Sequence, residues 1–340
     1  MTSLKPELDP INSDTVVYDV IVVGAGFAGM YMLHELRKTG LNVLVLEEAT
    51  GVGGTWYWNR YPGARCDVES MEYSYSFSEE LQQEWNWSHR FSTQPEILEY
   101  ANHVADRFDL RRHIKFQTRV SSVKYDQHKQ KWLLESSSKE EFQSRFCVMA
   151  TGTLSSVNEP KFKGIKEFQG DWYITGRWPH DGVDFSGKTV GIIGTGSTAV
   201  QAIPVIAKEA KHLTVFQRTA NYSIPAKNRP LIDSEVEGVK SRYSEIRIEA
   251  KANRAGIAFL KAGIDSALSV SETTRTQEYQ RRWDEGGTGF TAAYSDIGTS
   301  DEANFTAAEF VRNKIRETVQ NSETAELLAP TNTIGCKRLC

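Results

Sequence analysis

The stretch VIVVGAGFAGMYMLHELRKTGLNVLVLEE, residues 20–48, decides the fold of this chain. A valine-rich apolar run leads directly into the glycine-rich turn Gly24–Gly29. Met30–Lys38 then has apolar residues at helical spacing, and Gly40 is the residue type that commonly follows the end of a helix. Leu41–Leu46 is a second apolar run. The order strand, glycine turn, helix, strand predicts a βαβ unit.

This first glycine turn has the spacing of a dinucleotide-binding loop. Glycines let the backbone approach a pyrophosphate, which binds at the N-terminus of the following helix. In such units an acidic residue about 20 positions further on binds the ribose hydroxyls. Glu47 stands at that distance, at the end of the second strand. The first unit therefore predicts a site for a dinucleotide with a free ribose.

A second turn of this kind, GTGSTA at residues 194–199, follows the apolar strand Thr189–Ile193. We expect a helix from about Ala199 to Ala210 and then a strand over Leu213–Phe216. Here the second strand is followed by Arg218 rather than by an acid. A guanidinium matches a 2′-phosphate in charge and geometry, so the second unit predicts an NADPH site.

The rest of the chain follows other patterns. Residues 112–150 alternate apolar and polar side chains, which predicts a small antiparallel β meander beginning near Ile114. Residues 225–330 have no glycine-turn signature and predict a helical insertion. Within it, Ser234–Leu260 reads as exposed helix, and a capping box at Thr306 predicts another helix start. The fold class is therefore α/β, with two Rossmann-like dinucleotide-binding domains, the meander and the insertion.

Composition argues against several function classes. The 340 residues, with 39% hydrophobic and 25% charged, are enough for two or more globular domains. A net charge of −4 argues against a nucleic-acid surface. No apolar run reaches the roughly 20 residues of a membrane span, and Met1–Asp14 lacks the pattern of a signal peptide. We therefore expect a soluble, cytoplasmic protein with no membrane or nucleic-acid partner.

The four cysteines have no C-x-x-C spacing. This pattern indicates reduced thiols in a cytosolic protein and argues against a flavin disulfide reductase, which needs a redox-active pair. We predict no metal site.

The most specific pattern is GGTWYWNRYPGARCD at residues 53–67. It resembles the signature of the type I Baeyer–Villiger monooxygenases, the flavin enzymes that turn ketones into esters or lactones. That signature reads Ala or Gly, Gly, any residue, Trp, four of any kind, Phe or Tyr, Pro, Gly or Met, three of any kind, Asp. It is met at every defined position from Gly53 to Asp67.

A second family signature, F-x-G-x-x-x-H-x-x-x-W-P, is matched by Phe168, Gly170, Trp178 and Pro179. The histidine position is occupied by Ile174. Isoleucine has no donor, acceptor or charge, so whatever that histidine does between the two domains is not done by this residue.

The resemblance covers roughly residues 17–340. Phe216–Thr219 resembles the family's NADPH phosphate strand, and Gly335–Leu339 resembles the segment that holds its catalytic arginine, here Arg338. Family members usually continue well beyond this point, so the chain is expected to lack their C-terminal part.

The domain boundaries implied by the resemblance are a flexible tail at 1–16, an FAD-binding domain (first segment) at 17–152, an NADPH-binding domain (first segment) at 153–224, a helical insertion at 225–330, and a truncated return to the NADPH-binding domain at 331–340.

The resemblance implies an FAD- and NADPH-dependent monooxygenase that inserts one oxygen atom of O₂ next to a ketone carbonyl through a C4a-peroxyflavin. Arg338 would stabilise the negative charge that develops, and Asp67 would orient Arg338. Two alternatives stay open: an N- or S-oxygenating flavin monooxygenase, and a truncated, inactive remnant. The sequence fixes neither the ketone nor the oligomeric state.

The expected contacts follow from the two turns and the resemblance. The expected FAD contacts are Gly24, Gly26, Phe27, Gly29, Glu47, Thr55, Trp56, Asp67, Tyr73 and Val120. The expected NADPH contacts are Arg65, Cys66, Gly194, Thr195, Gly196, Ser197, Thr198, Ala199, Arg218, Thr219, Lys337 and Arg338. The expected catalytic residues are Asp67 and Arg338.

Overall fold

A computed structural model describes residues 17–335. The chain divides into two compact units. Of the described residues, the first unit comprises those up to Asn59 and Ile97–Arg177, and the second comprises Arg60–Glu96 and those from Trp178 onward. Compactness and cofactor binding are different criteria, so the domain boundaries given above remain predictions.

The order strand, helix, strand occurs twice along the described residues, and other runs of helices or strands lie between and after these two units. The strands are β1 (Val17–Val23), β2 (Val43–Leu46), β3 (Ile114–Lys115), β4 (Val120–Asp126), β5 (Lys131–Ser136), β6 (Glu141–Met149), β7 (Thr189–Ile193) and β8 (His212–Phe216). The helices are α1 (Phe27–Arg37), α2 (Thr55–Trp58), α3 (Glu79–Glu84), α4 (Gln94–Arg107), α5 (Ser197–Glu209), α6 (Asp233–Lys240), α7 (Tyr243–Ala252), α8 (Glu272–Glu285), α9 (Asp301–Thr318) and α10 (Ser322–Leu328).

The first unit is built on a six-stranded sheet of order β3-β2-β1-β6-β5-β4. β1 lies centrally and pairs in parallel with both β2 and β6. Its residues Val20–Val23 are buried, as a continuous apolar run requires when both faces of a strand are covered. The β1-α1-β2 order is the predicted βαβ unit, and the predicted α/β fold class is confirmed.

The predicted meander is correct for β4, β5 and β6, which pair in antiparallel fashion. It is wrong for its first part, because β3 pairs in parallel with β2 through Val45 and Ile114. Alternation of apolar and polar residues reports which face of a strand is buried, and it carries no information about the partner strand. β6 belongs to both patterns, since it also pairs in parallel with β1.

The second unit contains a two-stranded parallel sheet, in which β7 pairs with β8. Val190, Ile192 and Leu213 of these strands pack in one cluster with Ala202 and Ile206 of α5. This β7-α5-β8 arrangement is the second predicted βαβ unit. The helix begins slightly earlier than expected, at Ser197, directly after the glycine turn.

Helices α6 to α10 lie in the predicted helical insertion. α8 and α9 share a core of buried apolar side chains that includes Tyr279, Phe290 and Val311. The expected helix start at Thr306 is wrong. α9 begins at Asp301, and the side chain of Ser300 caps it by accepting from the Ala303 N–H at 3.3 Å. The local T-x-x-E pattern also fits a helix interior, so it could not show that the helix had already begun.

The expected helix over Ser234–Leu260 is divided. α6 and α7 cover it only as far as Ala252, and an irregular loop follows.

Three further properties bear on the predictions. Between residues 17 and 335, no helix combines the length and apolarity needed to cross a bilayer. Within the same range, no group of three or more His, Cys, Asp or Glu side chains could hold a metal ion. Neither Cys66 nor Cys147 is part of a disulfide.

Candidate active site

In the first glycine turn, backbone contacts leave no room for a side chain at Gly24 or Gly29. Gly24 has a φ of +104°, and a Cβ there would lie 2.6 Å from the Ala150 carbonyl oxygen. A Cβ on Gly29 would lie 1.8 Å from the Gly24 carbonyl oxygen, which shows how closely α1 packs on the turn. A Cβ on Gly54 would lie 2.8 Å from the Gly26 Cα, so the start of residues 53–67 touches this turn.

Glu47 fixes the same turn from the end of β2. Its side chain is buried. One carboxylate oxygen accepts from the Ala25 N–H at 2.5 Å and the other from the Ala49 N–H at 2.8 Å. The Gly53 N–H in turn donates to the Ala25 carbonyl at 3.1 Å. Each carboxylate oxygen has a second lone pair, so the predicted bond to a ribose is compatible with these contacts.

The geometry fits a pyrophosphate at α1. Gly26 is the N-cap residue, and it has no side chain with which to cap the helix. The first N–H groups of a helix need partners, and they attract anions together with the helix dipole. Trp56 is buried on α2, next to Thr55, and Val120 begins β4. These three residues belong to the first unit together with the turn.

The second glycine turn is more open than the first. Gly194 has a φ of +107°, and a Cβ built on Gly194 or Gly196 would meet no described atom within 4 Å outside its own and the two adjacent residues. Gly196 is the N-cap residue of α5 and has no side chain with which to cap the helix. The Thr195 hydroxyl donates to the Thr219 carbonyl at 3.2 Å. This bond places Arg218, whose side chain is exposed, beside the turn, as a 2′-phosphate site requires.

Within the signature segment of residues 53–67, a turn at Pro62 and Gly63 leads into residues 64–66, which lie alongside the segment before α4. The Cys66 N–H donates to the Ser92 carbonyl at 3.1 Å, and the Gln94 N–H donates to the Ala64 carbonyl at 2.8 Å. Arg65 and Thr93 form an antiparallel bridge between these two bonds. Asp67 therefore directly follows a segment whose backbone is held by hydrogen bonds at Ala64 and Cys66.

Residues 21–280 match the family model described as pyridine nucleotide-disulphide oxidoreductase. The chain belongs to this family. A phenazine N-monooxygenase of Lysobacter antibioticus is 42% identical over 334 residues, which is 97% of this chain and 61% of that protein. A Baeyer–Villiger monooxygenase of Pseudooceanicola batsensis is 44% identical over 327 residues, 95% of this chain and 59% of that protein.

A solved structure of oxidized steroid monooxygenase bound to NADP superposes with a TM-score of 0.92 at 53% identity, over 95% of this chain and 62% of that chain. The chain thus spans about three-fifths of the length of these relatives. Its close homologues include Baeyer–Villiger monooxygenases, so the resemblance predicted from residues 53–67 is confirmed.

The predicted site residues of this family member lie in both units. The first unit holds Gly24, Gly26, Phe27, Gly29, Glu47, Thr55, Trp56 and Val120. The second unit holds Arg65, Cys66, Asp67, Tyr73, the turn at 194–199, Arg218 and Thr219. Lys337 and Arg338 lie outside the described residues. The roles of all these side chains toward a cofactor remain predictions.

Two polar residues that the sequence analysis did not select hold the second unit of this oxidoreductase together. Gln201 of α5 bonds the backbone of Arg65 and the hydroxyl of Tyr61. Its sequence signal is weak: one amide within the apolar stretch Ala199–Ile206.

Glu72 accepts from the backbone N–H groups of Ala258 and Phe259. Its burial raises its pKa above the ordinary value of 4.5, although these N–H bonds act in the opposite direction. Nothing in the sequence marks Glu72, because its partners are more than 180 positions away.

Proposed function

We propose that this chain is the dinucleotide-binding part of an FAD- and NADPH-dependent Baeyer–Villiger monooxygenase, which inserts one oxygen atom of O₂ beside a ketone carbonyl to give an ester or lactone. One observation carries the proposal. The signature segment begins in contact with the first glycine turn, at Gly54 and Gly26. Near its other end, the backbone of Arg65 is hydrogen-bonded to the side chain of Gln201 on α5, the helix that follows the second glycine turn. The most specific family signature thus has one of these contacts within each of the two units.

FAD is assigned to the first unit. The N–H groups at the start of α1 would bind its pyrophosphate, and Glu47 would accept from its ribose while keeping Ala25 in place. Thr55, Trp56 and Val120 are the further contacts proposed in this unit, and Asp67 and Tyr73 those proposed in the second. FAD supplies the reaction with O₂, for which amino-acid side chains have no equivalent.

NADPH is assigned to the second glycine turn. The start of α5 would bind its pyrophosphate, and Arg218 would pair with its 2′-phosphate. The bond between Thr195 and Thr219 holds the segment after β8 at the turn and so keeps Arg218 near that phosphate. This assignment favours NADPH over NADH.

Asp67 and Arg338 are the proposed catalytic pair. An arginine side chain stays protonated, so Arg338 would stabilise negative charge and would not act as a base. In well-studied enzymes, loss of one such donor costs about 10²–10³ in rate. Asp67 would hold the guanidinium in place, with its own backbone fixed by the hydrogen bonds around Cys66.

The test is the visible spectrum of the purified chain supplied with FAD, recorded without oxygen before and after NADPH. We expect a bound flavin band that bleaches with NADPH and more slowly with NADH. Oxygen and a panel of ketones are then added, and esters or lactones are measured by gas chromatography. A chain that binds no FAD contradicts the proposal and supports an inactive remnant.

The second candidate is an N-oxygenating monooxygenase, favoured by the identity with the phenazine N-monooxygenase. The same preparation distinguishes the two, since a panel of aromatic N-heterocycles would then be oxidised while ketones are left unchanged. Disulfide reduction is not proposed, because the sequence has no C-x-x-C pair. A cytoplasmic location is proposed from the cysteine usage, and the oligomeric state is left open.

A further inference from the structure

One side chain ties the segment that carries Asp67 to the helix of the second glycine turn. The Tyr61 hydroxyl donates to Gln201 Oε1 at 2.8 Å. The Arg65 N–H donates to the same oxygen at 3.4 Å, and Gln201 Nε2 donates to the Arg65 carbonyl at 3.2 Å. The amide thus bonds both backbone polar groups of Arg65, which stands two residues before Asp67.

The backbone of this segment also packs closely against α5 near Gln201. Gly63 has a φ of +79°, and a Cβ there would lie 2.3 Å from the Gln201 carbonyl oxygen and 3.1 Å from Val205 Cγ2. Packing of this kind leaves the helix and the segment little freedom to slide. Gln201 stands one turn after Ser197, the first residue of α5, so the contact is close to the turn assigned to NADPH.

Only a carboxamide satisfies this arrangement. Its oxygen accepts twice and its nitrogen donates once, whereas a carboxylate has no donor for the Arg65 carbonyl and an aliphatic side chain has neither group. The three bonds therefore set the register between Asp67 and the start of α5. No bond from Gln201 to a cofactor is needed for this role.

We propose that Gln201 is a positioning residue, which holds Asp67 in register with the turn that binds the nicotinamide dinucleotide. The inference rests on the proposed function. Hydride transfer depends steeply on geometry, and a displacement of about 1 Å can cost about 10²-fold in rate. Because Asp67 is also a proposed FAD contact, loss of the register should slow flavin reduction. Dinucleotide affinity should stay nearly unchanged, because Arg218 and the glycine turn are retained.

The experiment compares Gln201→Leu, Gln201→Glu and Tyr61→Phe in the full chain with bound FAD. The matched control is Gln280→Leu on α8, where the amide nitrogen donates to the carboxylate of Asp284 in the same helix. Two quantities are measured: the rate of anaerobic flavin reduction against NADPH concentration, and the alkylation rate of Cys66, followed by peptide mass spectrometry without NADPH. Cys66 is buried next to Arg65, so its labelling reports the position of the segment.

For Gln201→Leu we expect a limiting reduction rate about 10²-fold lower, an almost unchanged NADPH dissociation constant, and Cys66 labelling about tenfold faster, as the loss of one net hydrogen bond or more implies. Gln201→Glu and Tyr61→Phe should give smaller changes in both quantities, because each keeps some of the bonds. Gln280→Leu should behave as the wild type.

Wild-type rates and wild-type Cys66 protection in Gln201→Leu would overturn the inference. So would a loss of NADPH affinity with an unchanged limiting rate, which would make Gln201 a binding residue. If Gln201→Leu does not fold, the reduction rate and the Cys66 labelling of Tyr61→Phe and Gln201→Glu are compared with those of the wild type instead. If NADPH fails to reduce even the wild type, the proposed function fails, while Cys66 labelling still decides whether Gln201 holds the segment.

Discussion

Glu47 accepts hydrogen bonds from two backbone N–H groups, one within the first glycine turn and one just after β2. Because the carboxylate is buried, removing it leaves both donors without a partner and without water. Glu48, the next residue, is exposed and pairs only at the surface, with Arg119 at 3.0 Å. Neighbouring glutamates thus have very different expected contributions to stability.

We predict that Glu47→Ala lowers the free energy of unfolding by about 3 kcal/mol, the cost of leaving buried donors unsatisfied. Glu48→Ala should change it by less than about 1 kcal/mol, as is usual for exposed ion pairs. Urea denaturation of both variants, followed by circular dichroism, measures the difference. Equal stabilities of the two variants would show that Glu47 does not hold the turn.

Arg218 is the residue on which the preference for NADPH depends. We predict that Arg218→Ala weakens NADP⁺ binding by about 10–100-fold, since a hydrogen bond to a charged group contributes about 1.5–3 kcal/mol. NAD⁺ binding should stay the same, because NAD⁺ has no 2′-phosphate. Titration calorimetry with both dinucleotides checks this, and Lys208→Ala on the exposed end of α5 is the control. An equal loss of affinity for both would refute the assignment.

At the scale of elements, the two glycine turns have the same spacing but different surroundings. The first is closely packed, because Gly29 lies against Gly24 and Gly54 lies against Gly26. The second has open space at Gly194 and Gly196. The helical position Gly29 is therefore needed for packing, whereas the second turn needs its glycines for backbone conformation and for the approach of a ligand.

We predict that Gly29→Ala destabilises the chain by about 3 kcal/mol or prevents folding of the first unit, because the added methyl group would overlap the Gly24 carbonyl. Gly238 is also within a helix, α6, but a Cβ there meets no described atom within 4 Å. Gly238→Ala should stabilise by about 0.5–1 kcal/mol. Thermal denaturation should show melting temperatures that move in opposite directions. A Gly29→Ala variant as stable as the wild type would contradict the packing described here.

At the scale of the whole molecule, contacts between distant parts of the sequence build the second unit. Glu72 accepts from Ala258 and Phe259 of the loop after α7, and Arg247 donates to the Glu72 carbonyl at 3.0 Å. Burial raises the pKa of Glu72, Glu69 adds to this effect, and Arg247 opposes it. A carboxyl whose pKa is higher in the folded than in the unfolded state binds more protons when folded, so its contribution to stability decreases as pH rises.

We predict that Glu72 makes the chain less stable as pH rises from 4.5 toward neutrality, and that Glu72→Gln removes this part of the pH dependence. At neutral pH the variant should still be less stable than the wild type by about 1–3 kcal/mol, because its NH₂ group faces an N–H donor. Urea denaturation at several pH values measures both effects. Parallel curves for the two proteins would show that Glu72 has no raised pKa.

Sequence patterns predicted the α/β class, both βαβ units and the helical insertion, because strand–glycine–helix order and apolar spacing are local properties. They failed where the answer depended on a distant partner. Alternation around Ile114 suited a parallel edge strand as well as a meander. The pattern at Thr306 could not show that α9 had begun at Asp301.

The sequence by itself determined the two glycine turns and the Gly53–Asp67 signature, since each is defined by residue type and spacing. It likewise determined the acid at the end of the first βαβ unit and the arginine after the second βαβ unit. Only the tertiary structure decided that Gln201 is hydrogen-bonded to the backbone of Arg65 and that Glu72 is hydrogen-bonded to the backbone of the loop after α7. The physical reason is that a hydrogen bond forms between atoms that packing brings within about 3 Å, and residues far apart in sequence meet only when the chain has folded.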